Sequence, residues 1–212
     1  MTYEEGTGRP GRSFPSRLSR LLGEAGIVLA GAVLIAFVLK LLVAQAFFIP
    51  SASMVPQLEV SDRVLVSKLS YRLHEPRRGD IVVFDCPPGH CDQGDEGDGV
   101  VGLLRWFGEG LGVVQPLGQE LIKRVVALPG ETVEARDGEV YVDGRRLVEP
   151  YLPPATVTAN LAPTTVPEGH LYVLGDNRSN STDSRVFGPV SRRSVVGRAI
   201  ATVWPPADAS FL

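Results

Sequence analysis

The sequence predicts a mostly β protein, in which an antiparallel β-rich domain is tethered by one N-terminal transmembrane helix. Three observations support this class. The 212 residues include 23 glycines and 17 prolines, which together with many valines is typical of a turn-rich β protein. Residues 26–49 are apolar apart from Lys40 and Gln45, and a bilayer core about 30 Å thick needs roughly 20 such residues as helix. The roughly 160 residues that follow are enough for one domain with its own core.

The N-terminal segment predicts three regions: a disordered cytoplasmic tail over 1–24, a transmembrane signal-anchor helix over 25–48 and an extracytoplasmic domain over 49–212. Pro50 is expected to end the helix, because it cannot donate a backbone hydrogen bond. The apolar run exceeds the roughly 7–15 residues of a cleavable signal peptide, and Lys40 is expected to snorkel to the outer interface. The positive-inside rule predicts a single-pass plasma-membrane protein with a cytoplasmic N-terminus. The arginines that precede the run are Arg9, Arg12, Arg17 and Arg20.

The charge balance limits the partners. There are 21 Lys+Arg against 24 Asp+Glu, which gives a net charge of −3, and no block is rich in basic residues. We therefore expect no nucleic-acid partner. The lipid bilayer is the partner that the apolar run predicts.

The two cysteines, Cys86 and Cys91, open an acidic and Gly-rich stretch that we interpret as an insertion over 86–118. In an oxidising compartment a local disulfide between them is favoured. Free thiols remain an alternative. A metal site that includes His90 is another, although the spacing matches no common zinc pattern. No metal or other cofactor is expected.

Short strands separated by turn residues are predicted along the domain. The dipeptides Asp137-Gly138 and Asp143-Gly144 are strong hairpin signals. Residues 151–165 are rich in Pro and Thr and predict a loop. The predicted strands cover 63–66, 80–84, 120–128, 132–134, 140–142, 170–174 and 195–204.

Two serines, Ser51 and Ser53, follow the predicted span directly and lie between Pro50 and Pro56. A serine hydroxyl is a weak nucleophile and needs a base. None of the three histidines lies in a protease-like context, so a Ser–His–Asp hydrolase that uses His170 is a weaker alternative. The other available base is a lysine whose pKa is lowered by burial.

Lys123 is the candidate base. In a strand, alternate residues share one face, so Lys123 would be the only charge on a face formed by Leu121, Val125 and Ala127. To act near pH 7 it needs a pKa about 3 below its usual value. The alternative is a lysine that snorkels at the rim of a sheet.

A polar stretch over 175–185 provides the third cluster. Such a composition usually forms a surface loop. It could also act as a hydrogen-bonding centre, in which Ser181 orients a neutral Lys123 and an Asp183–Arg185 pair braces the loop.

Taken together, four blocks resemble those of the type I signal peptidases, membrane-bound serine proteases with a Ser/Lys dyad. They are IPSASMVP at 49–56, DRVLVSKLSY at 62–71, KRVVALPGE at 123–131 and GDNRSNSTDSR at 175–185. They occur in the family's order after an N-terminal span. The resemblance implies a β-rich catalytic domain of the signal-peptidase and LexA-like Ser-Lys protease fold.

The resemblance also implies a role for individual residues. Ser53 would be the nucleophile and Lys123 the general base. The Ser51 hydroxyl and the Ser53 N–H would form the oxyanion hole. Ser181 would hydrogen-bond Lys123, and Asp183 with Arg185 would form a supporting ion pair. The residues expected to line the substrate pockets are Ile49, Pro50, Met54, Leu58 and Ile122.

The function so implied is cleavage of signal peptides from exported preproteins after small residues at −1 and −3. Signal peptides, the bilayer and the secretion translocon are the expected partners. One alternative is a processing peptidase dedicated to a few substrates. Another is a non-catalytic envelope protein that binds signal peptides.

Overall fold

The computed structural model describes residues 17–91 and 120–212. Backbone contacts divide the chain into two units, Met1–Lys40 and Leu41–Leu212. The predicted disorder of residues 1–16 and all but the first residues of the predicted insertion lie outside the described residues.

Helix α1 spans Arg17–Val43, and both of its ends differ from the prediction. It begins inside the segment predicted as a disordered tail over 1–24. It ends well before Pro50, because Ala44–Phe48 form strand β1, which pairs antiparallel with strand β2 (Arg63–Ser67). An apolar run does not by itself distinguish a helix from a buried strand.

Apolar side chains are exposed along α1 where the structure describes them: Leu21, Leu22, Ile27, Val28, Leu29, Val33, Leu34 and Ile35. In the part of the chain that the structure describes, no helix is both long and apolar enough to cross a membrane.

Where the structure describes the second unit, it consists of short strands, two single-turn α-helices and short 3-10 turns. The further strands are β3 (Ile81–Asp85), β4 (Glu120–Ala127), β5 (Thr132–Arg136), β6 (Glu139–Val142), β7 (Arg145–Arg146), β8 (Leu161–Thr165), β9 (His170–Leu174), β10 (Val190–Ser191), β11 (Val195–Trp204) and β12 (Ser210–Phe211); the helices are α2 (Ser70–Leu73) and α3 (Ser184–Phe187).

The strands form two antiparallel sheets. The larger has the order β1-β2-β11-β3-β4-β9-β10, with β12 paired to β11, and the smaller has the order β7-β6-β5-β8. The predicted antiparallel β-rich class is therefore confirmed for the described part of the domain. Strand β4 lies inside the larger sheet, between β3 and β9.

Both predicted hairpin turns are present. Asp137 and Gly138 connect β5 to β6 with φ of 53° and 83°, and Asp143 and Gly144 connect β6 to β7 with φ of 50° and 72°. Two successive positive φ angles are what a type I′ turn requires. The predicted loop over 151–165 is wrong at its end, because β8 pairs there with β5, a partner that no local pattern reveals.

The cysteine prediction is also resolved. Cys86 and Cys91 form a disulfide with their Cα atoms 6.2 Å apart, so the free-thiol and metal alternatives for this pair are wrong. The enclosed turn places the His90 ring edge-on against Phe187 of α3, with centroids 5.9 Å apart.

Candidate active site

Lys123 lies in the middle of β4, where backbone hydrogen bonds to β3 and β9 fix the strand on both sides. The side chain is buried, with 2% of the residue exposed. Its Nζ donates one hydrogen bond to Ser53 Oγ at 2.8 Å and another to the carbonyl oxygen of Ile122 at 2.8 Å. The candidate base and nucleophile are therefore in direct contact, across 70 residues of sequence.

The predicted face around Lys123 is only partly present. The register of β4 against β9 shifts between Val125 and Ala127, and such a bulge interrupts the alternation of a strand. Val125 consequently packs in the core of the larger sheet, whereas Ala127 packs in the cluster formed with the smaller sheet. The shared face thus ends at Val125.

Ser53 lies in a single 3-10 turn, Ala52–Met54, in the connection between β1 and β2. The turn is buried at Ser53 and Met54. Ser51 comes just before it and is exposed. The Ser51 hydroxyl lies 3.2 Å from Ser53 Oγ, so Ser53 Oγ contacts both Lys123 and Ser51.

Burial changes the acidity of the candidate base. Loss of hydration lowers the pKa of Lys123 from 10.5 to about 8, and the negative charges of Asp183 and Asp176 partly oppose this. A neutral amine can accept a proton, whereas an ammonium cannot. Lys123 is therefore suited to serve as a base in mildly alkaline solution, and a smaller fraction of it is neutral at pH 7.

Asn177 holds the turn that carries Ser53. Its backbone N–H donates to the Ser53 carbonyl oxygen at 3.0 Å, and its Nδ2 donates to the Ala52 carbonyl oxygen at 3.0 Å. No role for Asn177 was predicted from the sequence. Its only sequence signal was membership of the polar stretch over 175–185, and the contact spans 125 residues.

Gly175 allows β9 to approach the same turn. A Cβ at this position would lie 2.2 Å from Ser181 Oγ and 2.5 Å from the Ser53 carbonyl oxygen. Both distances are shorter than any normal contact, so only glycine fits without displacing the neighbouring backbone.

Asp183, which is buried, and Arg185, which is partly buried, form an ion pair in which Arg185 Nε and Nη2 donate to the carboxylate at 2.7 Å each. The same carboxylate accepts from the Gly175 N–H at 3.0 Å. Burial alone would raise the pKa of Asp183, but the hydrogen bonds from Arg185 and Gly175 outweigh it and the pKa is lowered. Asp183 is therefore an anion that fixes the start of the 175–185 stretch.

Ser181 does not make the predicted contact. Its Oγ is buried and interacts with the Asp183 carboxylate, whose pKa it helps to lower, whereas Lys123 Nζ donates to the Ile122 carbonyl oxygen and to Ser53. Ser181 Oγ instead faces Gly175, next to the Ser53 carbonyl.

Comparison with known proteins identifies this arrangement. The family described as "Signal peptidase, peptidase S26" matches residues 22–204. The chain belongs to the signal peptidase family. It is 42% identical to the probable signal peptidase I-1 of Synechocystis, over 82% of this chain and 78% of that protein. It is 38% identical to the signal peptidase I of Mycobacterium tuberculosis, over 88% of this chain and 74% of that protein.

A solved signal peptidase I from Enterococcus faecalis is 33% identical, over 59% of this chain and 97% of its own, with a TM-score of 0.41. Family membership makes the protein a hydrolase, and the recognition based on its four sequence blocks is confirmed.

Two further ion pairs surround the site of this signal peptidase and were not predicted. Arg124, the residue after Lys123, donates from Nε and Nη2 to Asp176 at 2.8 and 2.6 Å. Arg178 pairs with Glu149. Each pair joins segments far apart in sequence, so no local spacing signals it.

The residues predicted to line substrate pockets lie mostly in the core. Ile49, Met54, Leu58 and Ile122 belong to one apolar cluster behind the Ser53 turn. Met54 and Leu58 are 0% exposed, whereas Pro50 is exposed. Their contact with substrate stays a prediction.

Proposed function

We propose that the chain is a membrane-bound serine endopeptidase that removes N-terminal signal peptides from exported preproteins, after small residues at −1 and −3. In this proposal Ser53 is the nucleophile and Lys123 is the general base. The observation that carries it is the buried hydrogen bond of 2.8 Å from Lys123 Nζ to Ser53 Oγ. Signal peptidase I is also the name of relatives 38% to 42% identical to this chain.

Acylation begins when neutral Lys123 takes the proton of Ser53 as Oγ attacks the scissile carbonyl carbon. The Ser51 hydroxyl and the Ser53 N–H stabilise the oxyanion, and loss of one such donor typically costs about 3 kcal/mol of transition-state stabilisation. The protonated Lys123 then gives its proton to the leaving amine. The mature protein departs, and the signal peptide stays esterified to Ser53.

Deacylation reuses the same groups. Lys123, neutral again, takes a proton from a water molecule, which attacks the ester carbonyl. The second oxyanion collapses, the ester bond to Ser53 breaks, and Oγ regains a proton from Lys123. The cycle requires neither a metal nor a nucleotide.

Attachment to the plasma membrane through the N-terminal segment is part of the proposal. The exposed apolar side chains of α1 and the arginines that precede the apolar run support it. A catalytic domain outside the cytoplasm agrees with the Cys86–Cys91 disulfide, since disulfides persist in oxidising compartments. The secretion translocon is the partner that would deliver the substrate.

The test is cleavage of a preprotein by purified full-length protein in detergent. Ser53→Ala and Lys123→Ala should each lower kcat by at least about 1,000-fold. His170→Ala is the matched control for a Ser–His–Asp mechanism: His170 begins β9, whereas Gly175, which approaches Ser53, follows its end. The proposal fails if Lys123→Ala keeps near-normal activity or if His170→Ala is inactive.

A panel of presequences separates a general from a dedicated peptidase. We expect cleavage of unrelated presequences that share small residues at −1 and −3. Cleavage restricted to one or two of them would favour the dedicated processing peptidase.

A further inference from the structure

The segment over 149–158, between the hairpins of the smaller sheet and β8, carries two side chains that face the catalytic region. Glu149 pairs with Arg178, and the Tyr151 ring lies against the Arg124 guanidinium, 3.9 Å from Cζ to the ring centroid. Tyr151 Oη donates to Glu149 Oε1 at 2.6 Å. Burial and the neighbouring Glu149 carboxylate raise the pKa of Tyr151, so its hydroxyl remains a donor.

Arg178 connects the segment to the loop that holds the nucleophile. Its side chain is 1% exposed. Nε donates to the Gly175 carbonyl oxygen at 3.0 Å, and Nη1 donates to Thr158 Oγ1 at 2.8 Å and to Glu149 Oε2 at 3.1 Å. A buried guanidinium needs all of these partners, because an unpaired buried charge is strongly destabilising. The position of Gly175 beside Ser53 is thereby tied to Glu149.

Arg124 connects the same segment to the base. It is the residue after Lys123 in β4, and besides Asp176 it donates from Nη1 to the Gly79 carbonyl oxygen at 2.9 Å. A cation in contact with an aromatic face is attracted by the ring's quadrupole, and the attraction is stronger when the pair is desolvated. Tyr151 thus contacts the strand that carries the base.

We infer that Glu149 and Tyr151 are positioning residues that fix the separation between Ser53 and Lys123. Glu149 acts on the nucleophile side through Arg178, and Tyr151 acts on the base side through Arg124. The Tyr151 hydroxyl also donates to Glu149, but the contact between its ring and Arg124 is what supports the base side. The inference rests on the proposed function, since it assigns these residues to the same Ser–Lys reaction.

The hairpin of β5 and β6 offers a matched control. There the Arg136 guanidinium lies over the Tyr141 ring at 3.8 Å, and Tyr141 Oη donates to Glu139 Oε2 at 3.4 Å. This trio has the same residue types as Arg124, Tyr151 and Glu149 but is more exposed to solvent, and no hydrogen bond described for it reaches the Ser53 turn or Lys123. Tyr141→Leu and Glu139→Gln therefore report the general cost of removing such a contact.

The experiment measures kcat, KM and the pH dependence of kcat for preprotein cleavage by the full-length protein in detergent. Tyr151→Leu and Glu149→Gln should each lower kcat about 10-fold, with KM within about two-fold of wild type. Their pH midpoints should rise by about half a pH unit, because a looser contact admits water to Lys123 and restores its affinity for a proton. Tyr151→Phe keeps the ring and should retain most of kcat. Tyr141→Leu and Glu139→Gln should change neither kcat nor the midpoint.

Each other outcome is decisive. Unchanged kcat and midpoint in Tyr151→Leu and Glu149→Gln, with Ser53→Ala and Lys123→Ala inactive, would overturn the positioning role and leave the proposed function intact. A rise in KM alone would mean that the segment contacts substrate, which also overturns it. Activity in Ser53→Ala would instead refute the proposed function. If the melting curve shows that Tyr151→Leu does not fold, Glu149→Gln and Tyr151→Phe provide the test. A wild-type pH midpoint of kcat in Glu149→Gln would contradict the inference. A loss of kcat in Tyr151→Phe as large as that in Glu149→Gln would also contradict it.

Discussion

The proposed base and the proposed nucleophile are held in contact with each other by different kinds of structure. Lys123 belongs to an eight-residue strand with a hydrogen-bonded neighbour on either side. Ser53 belongs to a three-residue turn whose carbonyl groups are held by Asn177. The base is thus positioned by its own secondary structure, and the nucleophile by a loop that arrives from elsewhere in the chain. Substitutions on the two sides should therefore have different consequences for activity and stability.

The base side should show the largest loss of activity without a loss of stability. Lys123→Met keeps much of the side-chain volume and removes the amine, so kcat should fall by at least about 1,000-fold. Burying the ammonium costs the folded state about 3 kcal/mol at pH 7 if the pKa falls from 10.5 to about 8. Urea unfolding at pH 7 should show a variant at least as stable as wild type. A marked loss of stability would mean that the lysine supports the strand.

One added methyl group at Gly175 should distort the turn that carries Ser53. Gly175→Ala places a Cβ against the Ser53 carbonyl oxygen, and backbone atoms there must move. We expect kcat to fall about 100-fold or more, with far-ultraviolet circular dichroism unchanged. The matched control is Gly144→Ala, where a Cβ meets no neighbour but φ is +72°; it should cost stability and leave kcat near wild type. Equal effects of the two substitutions on kcat would remove the distinction between the regions.

The pH dependence tests the base directly. Because burial lowers the pKa of Lys123 to about 8, the neutral fraction of Lys123, and with it kcat, should rise about 50-fold from pH 6 to pH 8 and level off above pH 9.

The same shift in pKa predicts a change in stability with pH. The folded state binds the Lys123 proton less tightly than the unfolded state, so the Lys123 contribution to the free energy of unfolding should increase between about pH 8 and 10.5. Lys123→Met should lack that increase. A flat profile of kcat from pH 6 to 9 would count against a titrating lysine.

A smaller effect is expected from Asn177. Asn177→Ala removes the Nδ2 hydrogen bond to the Ala52 carbonyl and keeps the backbone bond to Ser53. One hydrogen bond is worth about 1 kcal/mol net, so kcat should fall roughly 5- to 10-fold with little change in KM. Asn180→Ala, at an exposed position of the same loop, is the control. An unchanged kcat for Asn177→Ala would show that the turn holds its own geometry.

The same contrast explains what could be predicted from the sequence. Lys123 was found because a charge within a strand of alternating residues is a local signal, and both hairpin turns were found because Asp-Gly dipeptides determine their own φ angles. The bulge between Val125 and Ala127 depends on the neighbouring strand β9 and leaves no such signal. The boundary of α1 was missed because Ala44–Phe48 become a strand only through pairing with β2.

The supports of Ser53 could not be predicted from the sequence for the same reason. Asn177, Arg178 and Glu149 are ordinary polar residues in loops until distant segments bring them together. The separate roles of Ser53 as nucleophile and Ser51 as oxyanion-hole donor were assigned only from the resemblance, which transfers roles to matching positions without giving their physical cause. The hydrogen bond expected between Ser181 and Lys123 shows the limit of that transfer, because the contacts described for Lys123 Nζ are with Ser53 Oγ and the Ile122 carbonyl oxygen.

The distance in sequence between Ala52 and Asn177, 125 residues, has a consequence for biosynthesis. Ser53 is synthesised well before Asn177, so the Ala52–Met54 turn leaves the ribosome before the loop that holds it has been made. Contacts of such long sequence separation form slowly, after local structure. The nascent chain therefore carries Ser53 in a turn that lacks its support until Asn177 has been synthesised. Catalysis by this chain should therefore begin only after the loop over 175–185 has been synthesised and has folded against the Ser53 turn.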